Sequence, residues 1–492
     1  MDKLFRLSGM KLFVAVVDVA AIMISSLFVF KYVFPHAEST VDLLYAFIQR
    51  MPWLGLLVLI NFWLFDLYNL SGRRSFAKNM YNVAVCHGMI TLQIVLIDYF
   101  VHFITWSRLE VLCALCMQLI TMFLLRSLLM YVQFLGTGRK RTMIIAEHSD
   151  TARSIIERMV LRRRHWFEVH GVMLATEWNK EELEAMIGEV DLLLLSDDLT
   201  PEIKTDVLRL AGNRKLEVLI VPEFYELFLV GSEMQLIDDL LVYSIIPSEL
   251  SLHERILKRS LDWILSSVLL LLLSPIMLAL LVLIPLTSKG SALFKQERLG
   301  LNGVPFMVLK FRTMVDNAEV NTGPVLAADR DHRITKLGGL LRSTRLDELP
   351  QLINVIKGDM SLVGPRPERE YFINQFQQQI PHYIYRMSVK PGLTGLAQVK
   401  GKYTTSSSDK LRYDLMYIKN YSFLLDLKII VQTILVVLER EQSKGVASNA
   451  LAGQSGQLAD LVMLTRQETA AAKLDEGRGG GYSLVSGEPG HK

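Results

Sequence analysis

Four stretches of this sequence, residues 12–35, 52–68, 80–106 and 109–135, stay apolar for about the ~20 residues that a helix needs to cross the hydrocarbon of a bilayer. Inside lipid every backbone N–H and C=O must be paired within the protein, so runs of this length read as membrane helices. Hydrophobic residues make up 51% of the 492 residues and mean hydropathy is +0.30, although 21% of the chain is charged. A soluble protein of ordinary charge does not combine these values. The expectation is a four-helix transmembrane bundle over residues 1–138. Its first span is too long, and lacks the small-residue cleavage site, to be a removed signal peptide.

Orientation follows from the short loops, because Lys and Arg stay on the cytoplasmic side. Lys3, Arg6 and Lys11 precede the first span, Arg73, Arg74 and Lys78 follow the second, and Arg139, Lys140 and Arg141 follow the fourth. The opposite loops hold Glu38, Asp42 and Arg50, then Arg108 and Glu110. Both ends of the bundle are therefore expected in the cytoplasm, and the chain after residue 140 starts there. Cys86, Cys113 and Cys116 all fall in apolar spans, where they read as small hydrophobes and not as a disulfide or redox framework. Asp18, Asp66, Asp98 and Arg126 lie within or at the edges of the spans. Ionisable groups there pair or line a cavity, and Asp18 with Arg126 is the pairing the sequence offers.

Between 139 and 250 the pattern becomes an alternation of strands and helices: 142–146, 149–163, 169–174, 180–188, 191–196, 201–211 and 216–221. Such alternation specifies a small parallel α/β domain, degenerate Rossmann-like in kind. A dinucleotide site would need a glycine-rich turn after the first strand. Here that turn reads Glu147-His148-Ser149-Asp150-Thr151-Ala152, with no glycine and two acids, so a structural or regulatory role is expected instead. The run Arg162-Arg163-Arg164-His165-Trp166 suits anionic lipid or a solvated helix face equally.

A fifth apolar run, 261–287, is also long enough to cross the membrane, but Ser274-Pro275 interrupts it halfway. Proline removes a helix hydrogen bond and serine can satisfy freed backbone groups. Lys258 and Arg259 flank one end and Lys289, Lys295 and Arg298 the other, which suits a hairpin returning to the cytoplasm. A kinked spanning helix is the alternative reading of the same residues.

Downstream, Leu346-Asp347-Glu348-Leu349-Pro350-Gln351 is followed by Gly358-Asp359-Met360-Ser361-Leu362-Val363-Gly364-Pro365-Arg366-Pro367. Proline is tolerated in the first turn of a helix, so a helix through Leu352, Ile353 and Ile356 is expected to begin near Asp347. A helix start favours anionic groups, including phosphate or a carboxylate of lowered pKa. The pair by itself also fits an ordinary helix cap. Its surroundings raise the functional reading: Lys310-Phe311-Arg312, Asp331-His332-Arg333, Arg342, Arg345 and Arg366 interleave cations with carboxylates. Arginine's planar fork suits phosphate, and Mg²⁺ takes one or two carboxylates plus phosphate oxygens. A surface salt-bridge network is the rival account.

These residues resemble a known family, the polyprenyl-phosphate hexose-1-phosphate transferases, or large monotopic phosphoglycosyl transferases of the bacterial sugar transferase family. The resemblance covers about 255–440. It rests on Lys258-Arg259 and Asp262, Ser274-Pro275, Lys310-Phe311-Arg312, residues 346–351, residues 364–367, residues 390–399, and Asp414, Tyr417 and Asp426. It implies three parts: the bundle at 1–138, the α/β domain at 139–250, and a mainly helical catalytic domain at 251–445, anchored by a re-entrant helix-break-helix hairpin at 261–287.

The resemblance also implies a reaction. Asp347 would attack the sugar-bearing phosphorus of a UDP-sugar, expel UMP and hold the phosphosugar covalently. Undecaprenyl phosphate would then take the phosphosugar, in the first membrane step of exopolysaccharide, capsule or O-antigen synthesis. Glu348 would ligate Mg²⁺, and Arg366, Lys310, Arg312, Arg345, Pro365 and Pro367 would form the phosphate and substrate site. The sugar is expected to be glucose or galactose. The expected location is the bacterial inner membrane with the catalytic domain cytoplasmic. Membrane lipids, a second copy of the chain and other polysaccharide-assembly enzymes are the implied partners, and nucleic acid is not. The tail, 446–492, is rich in Gly, Ala, Ser and Gln and is expected to be disordered. Two rival functions are a non-catalytic membrane scaffold and a hydrolase that needs no lipid acceptor.

Overall fold

A computed structural model describes residues 2–33, 40–69, 76–101, 108–163, 166–175, 180–230, 232–245, 250–315, 331, 333–401 and 405–438. The expectations for Arg164, His165, His332 and the tail at 446–492 lie outside those residues. Two compact units emerge. One is built from Met1–Leu129 with Phe224–Ala447, and the other contains Met130–Glu223.

The apolar runs of the N-terminal region form α1 (Asp2–Phe28), α2 (Thr40–Leu64), α3 (Phe76–Val101) and α4 (Arg108–Thr137). Ile22, Val58, Phe62, Phe65, Val83, Cys86, Ile90 and Met122 make their shared core, while Leu12, Phe13, Ile24, Leu124 and Leu128 point outward. Apolar residues inside and out are what lipid as solvent requires. Asp18 and Arg126, both buried, form the expected ion pair between α1 and α4. Arg126 also donates to the Leu67 carbonyl at 3.3 Å, so the cation pins the turn that ends α2.

Among the described residues the helices long and apolar enough to cross a membrane lie at Gly9–Phe28, Phe76–Ile97, Leu109–Gln133 and Leu252–Thr287. Helix α2 runs for 25 residues, and Pro52–Leu64 is its described apolar part. The chain is a multi-pass membrane protein.

The second unit matches the strand–helix alternation closely: β1 (Lys140–Ala146), α5 (Ser149–Arg163), β2 (Phe167–Leu174), α6 (Lys180–Ile187), β3 (Leu192–Leu195), α7 (Pro201–Arg214) and β4 (Glu217–Ile220). The strands run parallel in the order β2-β1-β3-β4, a Rossmann-like fragment. The amides of the turn after β1 are already engaged. Asp198 accepts hydrogen bonds from the Glu147 and His148 amides at 3.2 and 3.1 Å, the donors that a nucleotide would use in such a fold.

The first unit resumes with α8 (Phe224–Leu229) and the hairpin β5 (Glu233–Ile237) with β6 (Leu240–Ser244). Then comes α9 (Leu252–Thr287), which begins at a capping box between Ser251 and Glu254. The sequence anticipates a helix-break-helix here, and the backbone shows one uninterrupted helix of 36 residues. The reason is local. Pro275 cannot donate to the Leu271 carbonyl four residues back, and Ser274 Oγ donates to that carbonyl at 2.7 Å instead.

Strands β7 (Leu293–Leu299) and β8 (Pro305–Phe311) form an antiparallel hairpin, with Phe294 opposite Lys310. After them come α10 (Lys336–Ser343), a 3₁₀ turn at Leu346–Glu348, α11 (Gln351–Lys357) and β9 (Ser361–Val363). The remainder is α12 (Glu370–Gln379), β10 (Gly392–Thr394), α13 (Leu396–Lys400), α14 (Ser407–Lys419) and α15 (Phe423–Leu438). Leu352, Val355, Met360, Leu362, Ile373, Leu411, Leu415 and Ile429 make the main core of this region. A smaller core joins Met277, Leu280 and Ile284 of α9 to Ala292, Phe311 and Leu341.

Candidate active site

Asp347 and Glu348 sit in the 3₁₀ turn, with α11 beginning only at Gln351 and Pro350 in its N-cap position. The helix therefore starts later than expected, and the pair gains little from a helix dipole of so short an element. What surrounds the two carboxylates is side-chain charge. Arg366 Nη2 donates to Glu348 Oε1 at 2.6 Å, and Lys310 Nζ lies 3.7 Å from the same oxygen. Asp347 and Glu348 are only 9% and 8% exposed. Among the described residues no donor reaches hydrogen-bond distance of the Asp347 carboxylate.

This difference separates the two acids. Burial and the Glu348 charge push the Asp347 pKa up to about 6, against the pull of Lys310, Arg342 and Arg366. Burial also works against Glu348 ionising, but Arg366 and Lys310 outweigh it and hold that carboxyl well below the usual range. Lys310 is pushed down to about 8, chiefly by burial, with Glu348 opposing. The site therefore holds one firmly ionised carboxylate, met at Oε1 by Arg366 and Lys310, beside one of raised basicity that no hydrogen-bond donor among the described residues reaches.

Each group is delivered by a separate element. Lys310 comes from the end of β8, where Val308 and Phe311 anchor the strand in the two cores. Arg345 enters the 3₁₀ turn at φ 59°, a left-handed backbone, and its charge helps to lower the Glu348 pKa. Arg366 rides on the loop after β9. That loop is clamped by the Lys390-Pro391-Gly392-Leu393-Thr394-Gly395 segment: the Gly364 amide donates to the Thr394 carbonyl at 2.9 Å, and the Gly392 amide to the Pro365 carbonyl at 2.8 Å. Any Cβ at Gly364 would lie 2.4 Å from the Lys390 carbonyl oxygen, so only glycine fits. Pro367 presents its carbonyl to Arg298 Nη1 at 3.3 Å.

Arg312 is not brought to this group. Its guanidinium donates to the Ser288 and Lys289 carbonyls at 2.8 and 2.5 Å, and to Ser288 Oγ at 3.0 Å, closing the C-terminal end of α9. Period-two alternation would put Lys310 and Arg312 on one face, but β8 ends at Phe311 and Arg312 lies beyond the strand, where that alternation no longer holds. Ser274 and Pro275 lie in the middle of α9, away from the carboxylates along the chain.

Sequence reading passed over Arg386. It is 6% exposed and donates to the Arg366 carbonyl at 3.0 Å, to Asp414 Oδ2 at 3.0 Å and to Tyr383 OH at 2.6 Å. Its only signal was a cation in the apolar neighbourhood of Tyr383 and Met387. Lys258, Tyr417 and Asp426 had been noticed without a role. Lys258 Nζ donates to the Val363 carbonyl at 3.1 Å and to Asp426 Oδ2 at 2.7 Å, and Tyr417 OH donates to Asp426 Oδ1 at 2.8 Å. Arg259 donates to the Val355 and Ile356 carbonyls at 2.7 and 2.6 Å, and Asp262 accepts from the Leu362 amide at 2.9 Å. The first turns of α9 are thus bonded to the back of β9, from which the Arg366 loop departs.

Comparison with known proteins places these elements. The family described as Bacterial sugar transferase matches residues 253–440, which include every residue of the carboxylate cluster. A UDP-N-acetylgalactosamine-undecaprenyl-phosphate N-acetylgalactosaminephosphotransferase of Aeromonas hydrophila is 45% identical over 37% of this chain and 44% of its own length. UDP-glucose:undecaprenyl-phosphate glucose-1-phosphate transferases of Klebsiella pneumoniae and Escherichia coli are 35% and 33% identical. Those matches cover 63% and 60% of this chain, and 70% and 67% of theirs. The chain thus spans less than half the length of the Aeromonas protein and about two thirds of the other two.

Proposed function

Because the chain belongs to the bacterial sugar transferase family, we propose that it transfers a hexose-1-phosphate from a UDP-sugar to undecaprenyl phosphate at the cytoplasmic face of the bacterial inner membrane. In the first step an Asp347 oxygen attacks the sugar-bearing phosphorus, and the bond to the bridging oxygen breaks, with UMP leaving on the electron pair. In the second step a phosphate oxygen of the lipid attacks the same phosphorus, and the acyl–phosphate bond breaks to regenerate the Asp347 carboxylate. The products are UMP and undecaprenyl-diphosphate-sugar, a first step suited to exopolysaccharide, capsule or O-antigen assembly. The relatives' names cover glucose, galactose and N-acetylgalactosamine, and glucose or galactose remains our proposal for the sugar.

One observation carries this reading: among the described residues the buried Asp347 carboxylate has no hydrogen-bond donor while its neighbour Glu348 has Arg366. A desolvated, unengaged carboxylate is the better nucleophile of the two. Arg366 and Lys310 lie beside the carboxyl pair and would meet the charge that develops on the diphosphate.

Mg²⁺ fits these residues. Asp347 and Glu348 supply adjacent hard oxygen donors, and among the described residues no third acid, His or Cys completes a cage, consistent with a cation that shares its shell with substrate phosphates. Glu348 would be its protein ligand, and the ion when bound would neutralise diphosphate charge.

We further propose that α9 enters and leaves the membrane on the same side. Its start is bonded through Lys258, Arg259 and Asp262 to residues 355–363, and its end packs Ile284 against Phe311 and Leu341. Both ends thus belong to one folded region, whereas Leu271, Leu272, Leu278 and Leu286 face outward. That arrangement seats the carboxylates where a lipid phosphate meets a soluble nucleotide sugar.

The test is direct. Purified protein, a panel of UDP-sugars, Mg²⁺ and undecaprenyl phosphate are expected to release UMP catalytically only with the lipid. Without lipid, one equivalent of UMP and a phosphosugar adduct on Asp347 are expected by mass spectrometry, and Asp347→Asn is expected to abolish both. Continuous UMP release without lipid would overturn the proposal in favour of a hydrolase. An Asp347→Asn variant with normal activity would favour a scaffold.

A further inference from the structure

The turn that ends α2 places an acidic residue in a left-handed backbone conformation. Asp66 adopts φ 60°, its amide donates to the Trp63 carbonyl and the Leu67 amide to the Phe62 carbonyl, a helix ending in which glycine is the usual occupant. Asp and Asn are the non-glycine residues that visit this left-handed region most readily. Here the carboxylate is engaged from the far end of the chain. Lys428 Nζ on α15 donates to Asp66 Oδ1 at 2.7 Å and Lys400 Nζ on α13 to Oδ2 at 3.4 Å. The turn is held from behind as well, since Arg126 binds the Leu67 carbonyl and is itself paired with Asp18.

Helix α15 lies between two partners. One face turns to the bundle: Lys428 lies over the Trp63 ring at 5.5 Å, Gln432 donates to the Leu64 carbonyl at 3.2 Å, and Val431 and Leu435 join the bundle core. The spacing of 428, 432 and 435 is that of one helix stripe. The other face turns to the catalytic core. Asp426 holds Lys258, Ile429 is buried in the main core, and Thr433 Oγ1 lies 2.7 Å from Thr394 Oγ1. Thr394 in turn accepts the Gly364 amide at the root of the Arg366 loop.

We propose that Asp66 is a positioning residue: through Lys428 and Lys400 it docks the transmembrane bundle onto α13 and α15, and so sets the catalytic segment against the membrane for the lipid acceptor. This rests on the function proposed above, and it assigns the bundle a part in the lipid half of the reaction only. UMP release from the UDP-sugar needs no lipid and is independent of the docking.

Asn tolerates the left-handed conformation, so Asp66→Asn removes the charge while leaving the turn intact. In the full-length protein in nanodiscs, Asp66→Asn and Lys428→Met are each expected to raise the KM for undecaprenyl phosphate roughly tenfold, and the double variant to add little more. The lipid-free UMP burst is expected to stay within about twofold of wild type. Hydrogen exchange in 396–400 and 423–438 is expected to quicken in Asp66→Asn. An unchanged lipid KM, or a burst that falls in parallel with it, overturns the proposal, because the residue then serves only the turn or the fold. Unchanged exchange overturns the docking whatever the activity. A wild-type protein with no burst overturns the proposed reaction, and the exchange measurement still decides the docking.

Discussion

Arg366 Nη2 donates to Glu348 Oε1 at 2.6 Å, and this bond, not the order of residues in the chain, distinguishes Glu348 from Asp347. The two acids are adjacent, equally buried and in the same 3₁₀ turn. One has its charge matched by a guanidinium from a loop that Arg386 also binds; the other meets no hydrogen-bond donor among the described residues.

Removing that guanidinium tests its weight. Arg366→Ala strands a buried carboxylate, which costs about 3–5 kcal/mol when the partner is fully enclosed. Arg366 is 35% exposed, so solvent screens part of this, and a fall in kcat/KM for the UDP-sugar of roughly 10²-fold is expected. Arg366→Lys keeps the charge but not the fork, and is expected to lose roughly tenfold. Steady-state kinetics with both variants decides the matter, and wild-type values for Arg366→Ala would remove it from the site.

The pH profile follows from the two shifted groups. Attack requires the Asp347 carboxylate, whose pKa is about 6, so single-turnover UMP release is expected to rise with pH through that value. Lys310 loses its charge above about 8, and the rate is expected to fall there. Lys310→Arg keeps the cation at every accessible pH, so the alkaline limb is expected to disappear while the acid limb stays. Retention of the alkaline limb in that variant would reject Lys310 as its source.

Arg312 is expected to behave as a structural residue. Arg312→Met abandons three hydrogen bonds at the end of α9, a loss of about 2 kcal/mol. The thermal midpoint is expected to drop with the KM for UDP-sugar unchanged. A raised KM at an unchanged midpoint would return Arg312 to the phosphate site.

Topology can be read by labelling. In a cysteine-free background, Arg255→Cys and Lys289→Cys are both expected to react with an impermeant maleimide only from the cytoplasmic side. Reaction of Lys289→Cys from the outside would make α9 a spanning helix. Adding Pro275→Ala restores the missing backbone donor and is expected to shift position 289 toward the outside.

Several parts of this fold were legible in one dimension because their causes are local. Strand and helix periods located β1 to β4 to within a few residues. Clumped apolar runs announced the membrane helices. The same local reasoning erred where a neighbour intervened: Pro350 followed a separate 3₁₀ turn instead of opening a helix at Asp347.

The sequence by itself determined the solvent of each segment, the parallel α/β unit and the presence of an acidic pair among cations. These depend on composition and on spacing along a few residues. Only the tertiary structure decided that Lys310 and Arg366 meet Glu348, that Arg312 closes α9, that Arg386 lies under the Arg366 loop and that Asp66 reaches Lys428. A cation's stem carries no address; which carboxylate it meets is set by how β8, the loop after β9 and α15 pack, and that packing is a property of the whole core.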